Sequence, residues 1–232
     1  MRTTEVSTLR LPAANAHLVT GARGHVLVDS GTAGSVGALR RTLRSAGVEP
    51  RALAAVVLTH GHADHAGGAR LLVGDAVPVV VGAADAAIVE AGRNPPLVPT
   101  TVSARVIRPF VDRPFAGYRP DVLVDGELDL APFGVDLVAV VVGGHTAGSL
   151  VVVDPRPGGP ALVGDLVRGG HLGGMIRPDR PLPHYYSDDT GRDLALVRDL
   201  VARHHPDRLY PGHGGPLAPA ALGARAAAGP AG

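Results

Sequence analysis

The chain has 232 residues, of which 45% are hydrophobic and 19% charged, and its formal net charge is +1. This globular balance excludes wholesale disorder, collagen-like repeats and coiled coils, and the length suits one large domain with a substantial core. All 22 basic residues are Arg, aromatic residues make up only 3%, and no basic stripe is interleaved with aromatics, so nucleic-acid binding lacks its usual signals.

The N-terminal stretch MRTTEVSTLRLPAANAH holds no apolar run of signal-peptide length. No later stretch approaches the roughly 20 apolar residues of a membrane span, so the expectation is a cytoplasmic protein without a membrane partner. Strands are predicted over 4–11, 16–20 and 25–29, broken by Pro12, Gly21 and Gly24. A helix follows over 34–46, with Val36, Leu39 and Leu43 on one face. The β-branched run 54–58 reads as a buried strand, and a polar loop, 59–65, leaves its C-terminal end, where α/β folds commonly place ligands. A helix over 64–72, a strand over 77–81 and a helix over 83–91 close the first half. Residues 92–120 contain six Pro and little periodicity, so they read as a structureless connection or a flap over the site. Strands resume over 121–124, 127–130, 135–142, 150–154 and 161–164, then a helix over 190–204 and a short strand over 209–211. The domain is expected to span 1–218, with an Ala-, Gly- and Pro-rich tail over 219–232 that is frayed at its end.

Cysteine is absent, which removes disulfides, thiolate ligands and Cys nucleophiles together and leaves any metal to His and carboxylates. In Thr59-His60-Gly61-His62-Ala63-Asp64-His65, three of the 11 His and one carboxylate fall within six residues. In an extended loop His60 and His62 project to one side. As the chain curls into the next helix, Asp64 and His65 turn towards a neighbouring position, so this spacing offers one pair of ligands to one metal and a second pair to another. Three later turns each add a ligand type after a strand: Gly144-His145-Thr146, Gly164-Asp165 and Gly212-His213-Gly214. A lone His or Asp in a turn is ordinarily solvated or capping; recurrence in one context, behind the dense first motif, points to a metal centre.

On these residues, and on the turn Val28-Asp29-Ser30-Gly31, the chain resembles the metallo-β-lactamase-fold hydrolases, in particular their glyoxalase II-like and lactonase-like branches. The resemblance implies an α+β fold, a four-layer αββα sandwich with the site along one edge of its two sheets. It implies His60, His62 and His145 on one metal, Asp64, His65 and His213 on a second, Asp165 bridging, and Asp29 as support behind the ligands. Five imidazoles and two carboxylates suit two zinc ions, with iron or manganese also accommodated.

Such a site generates a metal-bound hydroxide and stabilises an oxyanion, with Asp64 placed for proton transfer. The activity expected is therefore hydrolysis of a small-molecule ester, thioester or lactone. Alternatives on the same fold are a mononuclear iron oxidoreductase resembling persulfide dioxygenases and a metal-binding module without catalysis. β-Lactamases of the family lack the bridging Asp, so Asp165 disfavours a β-lactam substrate. Quorum-quenching lactonases carry a Tyr where this chain has Arg168, which weakens that reading. Flavodiiron proteins have Glu at the position of His62 and add a flavin domain. The segment from Arg168 to Tyr186 reads as a long loop walling the pocket, in which Arg168 or Arg177 could bind an anionic group and His184 or Tyr185 donate to a leaving group. His17, His25, His204 and His205 read as structural or exposed.

Overall fold

The computed structural model describes residues 4–223. The first half contributes strands β1 (Glu5–Arg10), β2 (Asn15–Thr20), β3 (His25–Val28), β4 (Ala55–Val57), β5 (Val79–Gly82) and β6 (Val122–Val124). They form one sheet in the order β1-β2-β3-β4-β5-β6, antiparallel as far as β3 and parallel beyond it. Its helices are α1 (Val36–Ser45), α2 (Ala63–Ala66), α3 (Ala69–Val73), α4 (Ala86–Ala91) and α5 (Val102–Val111). The second half supplies β7 (Glu127–Asp129), β8 (Val138–Val141), β9 (Leu150–Val153) and β10 (Pro160–Gly164). After these come a hairpin of β11 (Arg168–His171) and β12 (Ile176–Leu182), helix α6 (Thr190–His204) and β13 (Arg208–Pro211). The second sheet runs β13-β10-β9-β8-β7, with β13 parallel to β10 and its other pairs antiparallel.

Three apolar clusters make this a four-layer αββα sandwich. Between the sheets, Val26, Val28, Val57 and Val80 meet Leu137, Ala139, Leu150, Val152 and Leu162. Because side chains alternate along a strand, the intervening residues Leu18, Leu27, Val56, Val79 and Val81 face outward, against Leu39 and Leu43 of α1, Leu72 of α3 and Val89 of α4. Val151, Val153, Ala161 and Val163 likewise pack on Val197 and Leu200 of α6. Strands buried on both faces read as the continuous Val and Leu runs seen in the sequence.

Four expectations change. The single helix over 64–72 is two short ones, because Ser30 N (2.8 Å) and Ser30 Oγ (2.6 Å) donate to the His65 carbonyl and take it out of a helical ladder. The segment 92–120 contains α5, which starts where the Thr101 side chain accepts from Ala104 N and tolerates Pro109 near its end. The expected loop between Arg168 and Tyr186 is the β11–β12 hairpin. The tail begins in packed structure: Pro219–Leu222 is a 3-10 turn with Leu222 buried in the α6 cluster, and residues 224–232 lie outside the described residues. Among the described residues no helix is long and apolar enough to cross a membrane.

Candidate metal centre

Parallel strands end at one edge, and that geometry collects the site. Asp29 follows β3, the 59–65 loop follows β4 and Asp85 lies beyond β5 in the first sheet; His145 follows β8, Asp165 follows β10 and His213 follows β13 in the second. The two edges meet, so side chains far apart in sequence converge. Asn15 fastens the junction: its backbone N donates to Gly212 O (2.7 Å), and its side chain donates to Pro211 O (3.1 Å) and Gly214 O (2.8 Å).

The structure brings together all seven residues expected as ligands. Ligand atoms of His60, His62 and His145 form one group, those of Asp64, His65 and His213 another, and Asp165 lies with His60 and His65. Asp165 Oδ2 stands 3.3 Å from Nε2 of both His65 and His213, and 3.8 Å from Nε2 of both His60 and His145. His62 Nδ1 faces His145 Nε2 at 3.1 Å, a contact that only a shared proton or a shared cation makes favourable. Nε2 of His60, His65 and His213, Nδ1 of His145 and Oδ1 of Asp165 are buried without a hydrogen-bond partner. Native interiors seldom leave so many polar atoms unpaired; bare imidazole nitrogens around carboxylate oxygens fit a divalent cation.

Electrostatics divides the cluster. Burial, reinforced by neighbouring imidazoles, holds His60 and His145 well below the ordinary histidine range, and burial also lowers His62. Burial opposes the charged form of His65 and His213 as well, but Asp165, joined by Asp29 at His65 and more weakly by Asp64 at both, outweighs it and raises both. Asp165 is held well below the usual carboxylate range: burial works against ionisation, and the surrounding His184, His213 and His65 overcome it. The neutral His60–His62–His145 group is ready to donate lone pairs, and the Asp165 carboxylate stays ionised.

Behind the ligands, Asp29 sits where the sequence places it. Its Oδ2 accepts from His65 Nδ1 at 2.8 Å, and the same carboxylate receives Thr59 N at 2.8 Å, which orients the His65 ring with Nε2 towards the cluster. Asp85, which sequence reasoning misses, is fully buried and accepts from Gly61 N (2.8 Å), Gly148 N (2.8 Å) and Thr146 Oγ1 (2.7 Å). It thereby ties the His60–His62 loop to the His145 turn. Gly212 is required for close approach, since a Cβ there would lie 2.2 Å from Asp165 Oδ1 and 2.5 Å from His65 Cε1.

A cleft of about 740 Å³ opens over the centre, with Asp64 and His213 at its base. Ile107 and Val111 of α5, Phe115, and Leu172 from the hairpin tip wall it, together with Arg113 and Tyr185. Tyr185 Oη accepts from Gly173 N (3.3 Å). The two arginines expected to meet an anionic group lie elsewhere. Arg168 is buried, stacks 3.8 Å from the Tyr185 ring centroid and donates to Pro183 O (2.7 Å) and to Gly170 O, so it braces the wall from behind. Arg177 is exposed and does not line the cleft. His184 is buried against the ligand cluster. Of the histidines read as structural, His17 is buried between Thr8 Oγ1 and Pro211 O (both 3.2 Å), His25 pairs with Thr20 Oγ1 (3.1 Å), and His205 ends α6 in a left-handed conformation.

Comparison with known proteins gives this arrangement a family. The profile of the Metallo-beta-lactamase superfamily matches residues 9–213. Among solved structures, a metallo-beta-lactamase family protein from Thermus thermophilus aligns with a TM-score of 0.63 and 20% identity over 93% of this chain and 75% of its own. BJP-1, a subclass B3 metallo-beta-lactamase of Bradyrhizobium japonicum, gives 0.60 and 15% over 92% and 76%, and the Rm3 metallo-beta-lactamase 0.60 and 19% over 89% and 74%. A search of curated proteins by sequence finds no match. At such identities the structures speak for the fold alone; with the profile spanning most of its length, the chain belongs to the metallo-beta-lactamase superfamily.

Proposed function

We propose that the chain is a metal-dependent hydrolase of a small-molecule ester, thioester or lactone, working with two zinc ions. The observation that carries this reading is the set of buried, unpartnered imidazole and carboxylate atoms directly beneath an open, largely apolar cleft. His60, His62 and His145 would hold one ion, Asp64, His65 and His213 the other, and Asp165 both. Bound there, the metals supply a nucleophile at neutral pH by acidifying water and stabilise the oxyanion that develops on the attacked carbonyl.

The chain's own groups do the rest. Asp64 is the carboxylate of the cluster that reaches the cleft, its side chain 24% exposed against 1% for Asp165. It is therefore the residue that can take a proton from the nucleophile and return it to a leaving group. Ile107, Val111, Phe115 and Leu172 exclude water and receive an apolar acyl or leaving group. The hydroxyl of Tyr185 accepts from Gly173 N, which leaves its own proton for a polar substrate atom. Arg113, the one arginine lining the cleft among the described residues, suits a substrate that also carries a negative charge.

The test is purified protein assayed on aryl esters, thioesters and lactones before and after chelation, alongside elemental analysis. Two zinc per chain, with hydrolysis lost on chelation and restored by metal, supports the proposal. One iron per chain with oxygen consumption, or metal uptake without any hydrolysis, overturns it.

A further inference from the structure

His184 stands outside the seven residues of the superfamily pattern, yet it lies nearer the heart of the cluster than most of them. Its Nε2 is 3.0 Å from Asp165 Oδ2, the shortest of the five imidazole approaches to that oxygen. The atom is buried and, like Nε2 of His60, His65 and His213, makes no hydrogen bond of good geometry despite its nearness to Asp165. The ring packs between those of His145 and His213, at centroid separations of 4.7 and 5.1 Å. Ligand atoms of His145, Asp165 and His184 fall into a single metal-sized group.

The other ring nitrogen shows how His184 is poised. Nδ1 lies 2.9 Å from the Tyr186 carbonyl oxygen and 3.3 Å from Tyr186 N. The shorter contact requires a proton on Nδ1, so a ring that gives up any Nε2 proton to a metal ion presents its lone pair there, towards Asp165. His65 is oriented in the same way, with Nδ1 against Asp29 and Nε2 in the cluster. A metal-ligating histidine characteristically passes its second N–H to a carboxylate or carbonyl in this way. His17 supplies the contrast: it is equally buried, but both its nitrogens have partners, Thr8 Oγ1 and Pro211 O, and it is a structural residue.

The backbone around His184 is fastened on both sides. Thr100 Oγ1 donates to His184 O (2.7 Å) and Thr100 N to Tyr185 O (2.9 Å). Arg168 Nε donates to Pro183 O (2.7 Å), and Tyr186 Oη donates to Ala104 O (2.8 Å). A ring so held, and absent from the cleft lining, is placed to meet a metal rather than a substrate leaving group. We infer that His184 is an eighth protein ligand of the centre, sharing a metal ion with Asp165 and His145. This rests on the metal-centre reading above and concerns its donor set, not its reaction.

The test reads the ligands directly. In ¹⁵N-labelled wild-type protein titrated with zinc, long-range ¹H–¹⁵N spectra of the 11 histidines are expected to show six rings moving to metal-bound positions, His184 through Nε2 with Nδ1 protonated. Five moving rings, with His184 unchanged, overturn the inference and leave the hydrolase reading standing; no metal uptake at all overturns both. As a second measurement, His184→Ala is loaded with cobalt(II) after the metal-free variant is shown to unfold cooperatively. The variant is expected to bind the ion about 10- to 100-fold less tightly than wild type, with an altered visible spectrum. A folded variant with unchanged affinity and spectrum refutes the assignment, and if the variant fails to fold the wild-type ring count decides alone.

Discussion

Thr146 Oγ1 donates to Asp85 Oδ2 at 2.7 Å, and this bond joins the turn that carries His145 to the strand edge that carries His60 and His62. The same carboxylate accepts from Gly61 N and Gly148 N, so three donors from two loops depend on it. Asp85→Ala strands those donors in a buried place at a cost of about 3 kcal/mol or more, and it lets the two loops drift apart. The expected outcome is a fall of about 10- to 100-fold in metal affinity, read by competition with a chromophoric chelator. Unchanged affinity at unchanged stability would contradict the role.

Gly212→Ala places a methyl group against Asp165 and His65 in a site with no room for it. Overpacking of this kind typically costs about 1–3 kcal/mol. The displaced carboxylate also serves every imidazole around it, so metal content should fall together with thermal stability. A variant with full metal content and an unshifted melting temperature would show that the approach is looser than the geometry indicates.

Asp64 divides coordination from chemistry. Asp64→Asn keeps the shape of the side chain but removes its capacity to accept a proton. The expected result is loss of turnover by a factor of about 100 or more in protein whose fold is intact. Wild-type kcat in fully metallated Asp64→Asn would refute the assignment.

The cleft is tested at Ile107, one turn before the end of α5 and 37% exposed. Ile107→Asp adds a charge where an apolar group is expected to lie. KM for long-chain aryl esters should rise about tenfold, with short acetyl esters much less affected. Equal effects on both substrates would argue that the acyl chain lies elsewhere.

His17 makes a stability prediction with a definite sign. Burial, only partly offset by Asp29 and the Pro211 carbonyl, pushes its imidazole from 6.5 down to about 4. The unfolded chain binds the proton more readily, so the contribution of neutral His17 is complete above pH 6.5 and is lost as pH falls towards 4. The full loss is about 3 kcal/mol. Urea unfolding of wild type and His17→Gln from about pH 7 to about pH 4, both metal-free, should show a shallower decline in the variant; parallel curves would exclude the effect.

The part of the site legible in the sequence is the part written contiguously or repeated in one context. His60, His62, Asp64 and His65 share a loop, and His145, Asp165 and His213 each follow a glycine at or just beyond the end of a strand. Asp29 is legible because it ends a strand in a recognisable turn. Asp85 is not, because a lone Asp ahead of an Ala-rich helix looks like a helix cap; in the structure its side chain makes no capping bond and serves two other loops. Its one sequence signal is its place beyond a strand parallel to those preceding Asp29 and His60. Helix α5 is obscured by Pro109, and the β11–β12 hairpin by Pro178 and Pro181, because local propensity argues against an element that tertiary pairing then imposes. Arg168 is misplaced for a different reason: sequence gives a side chain's charge but not whether it faces the cleft or the main chain behind it.

The clamp at Asn15 has a kinetic consequence. Its side chain holds carbonyls 196 and 199 residues away, and the segment it holds carries His213. Contacts of such separation form slowly, because a long loop must close before they repay its entropy. While the chain is being made, six of the seven expected ligands emerge before the strand that delivers the last one. Complete metal capture is therefore a late event, and the rate at which a refolding sample acquires full metal affinity is expected to follow the docking of β13 beside β10.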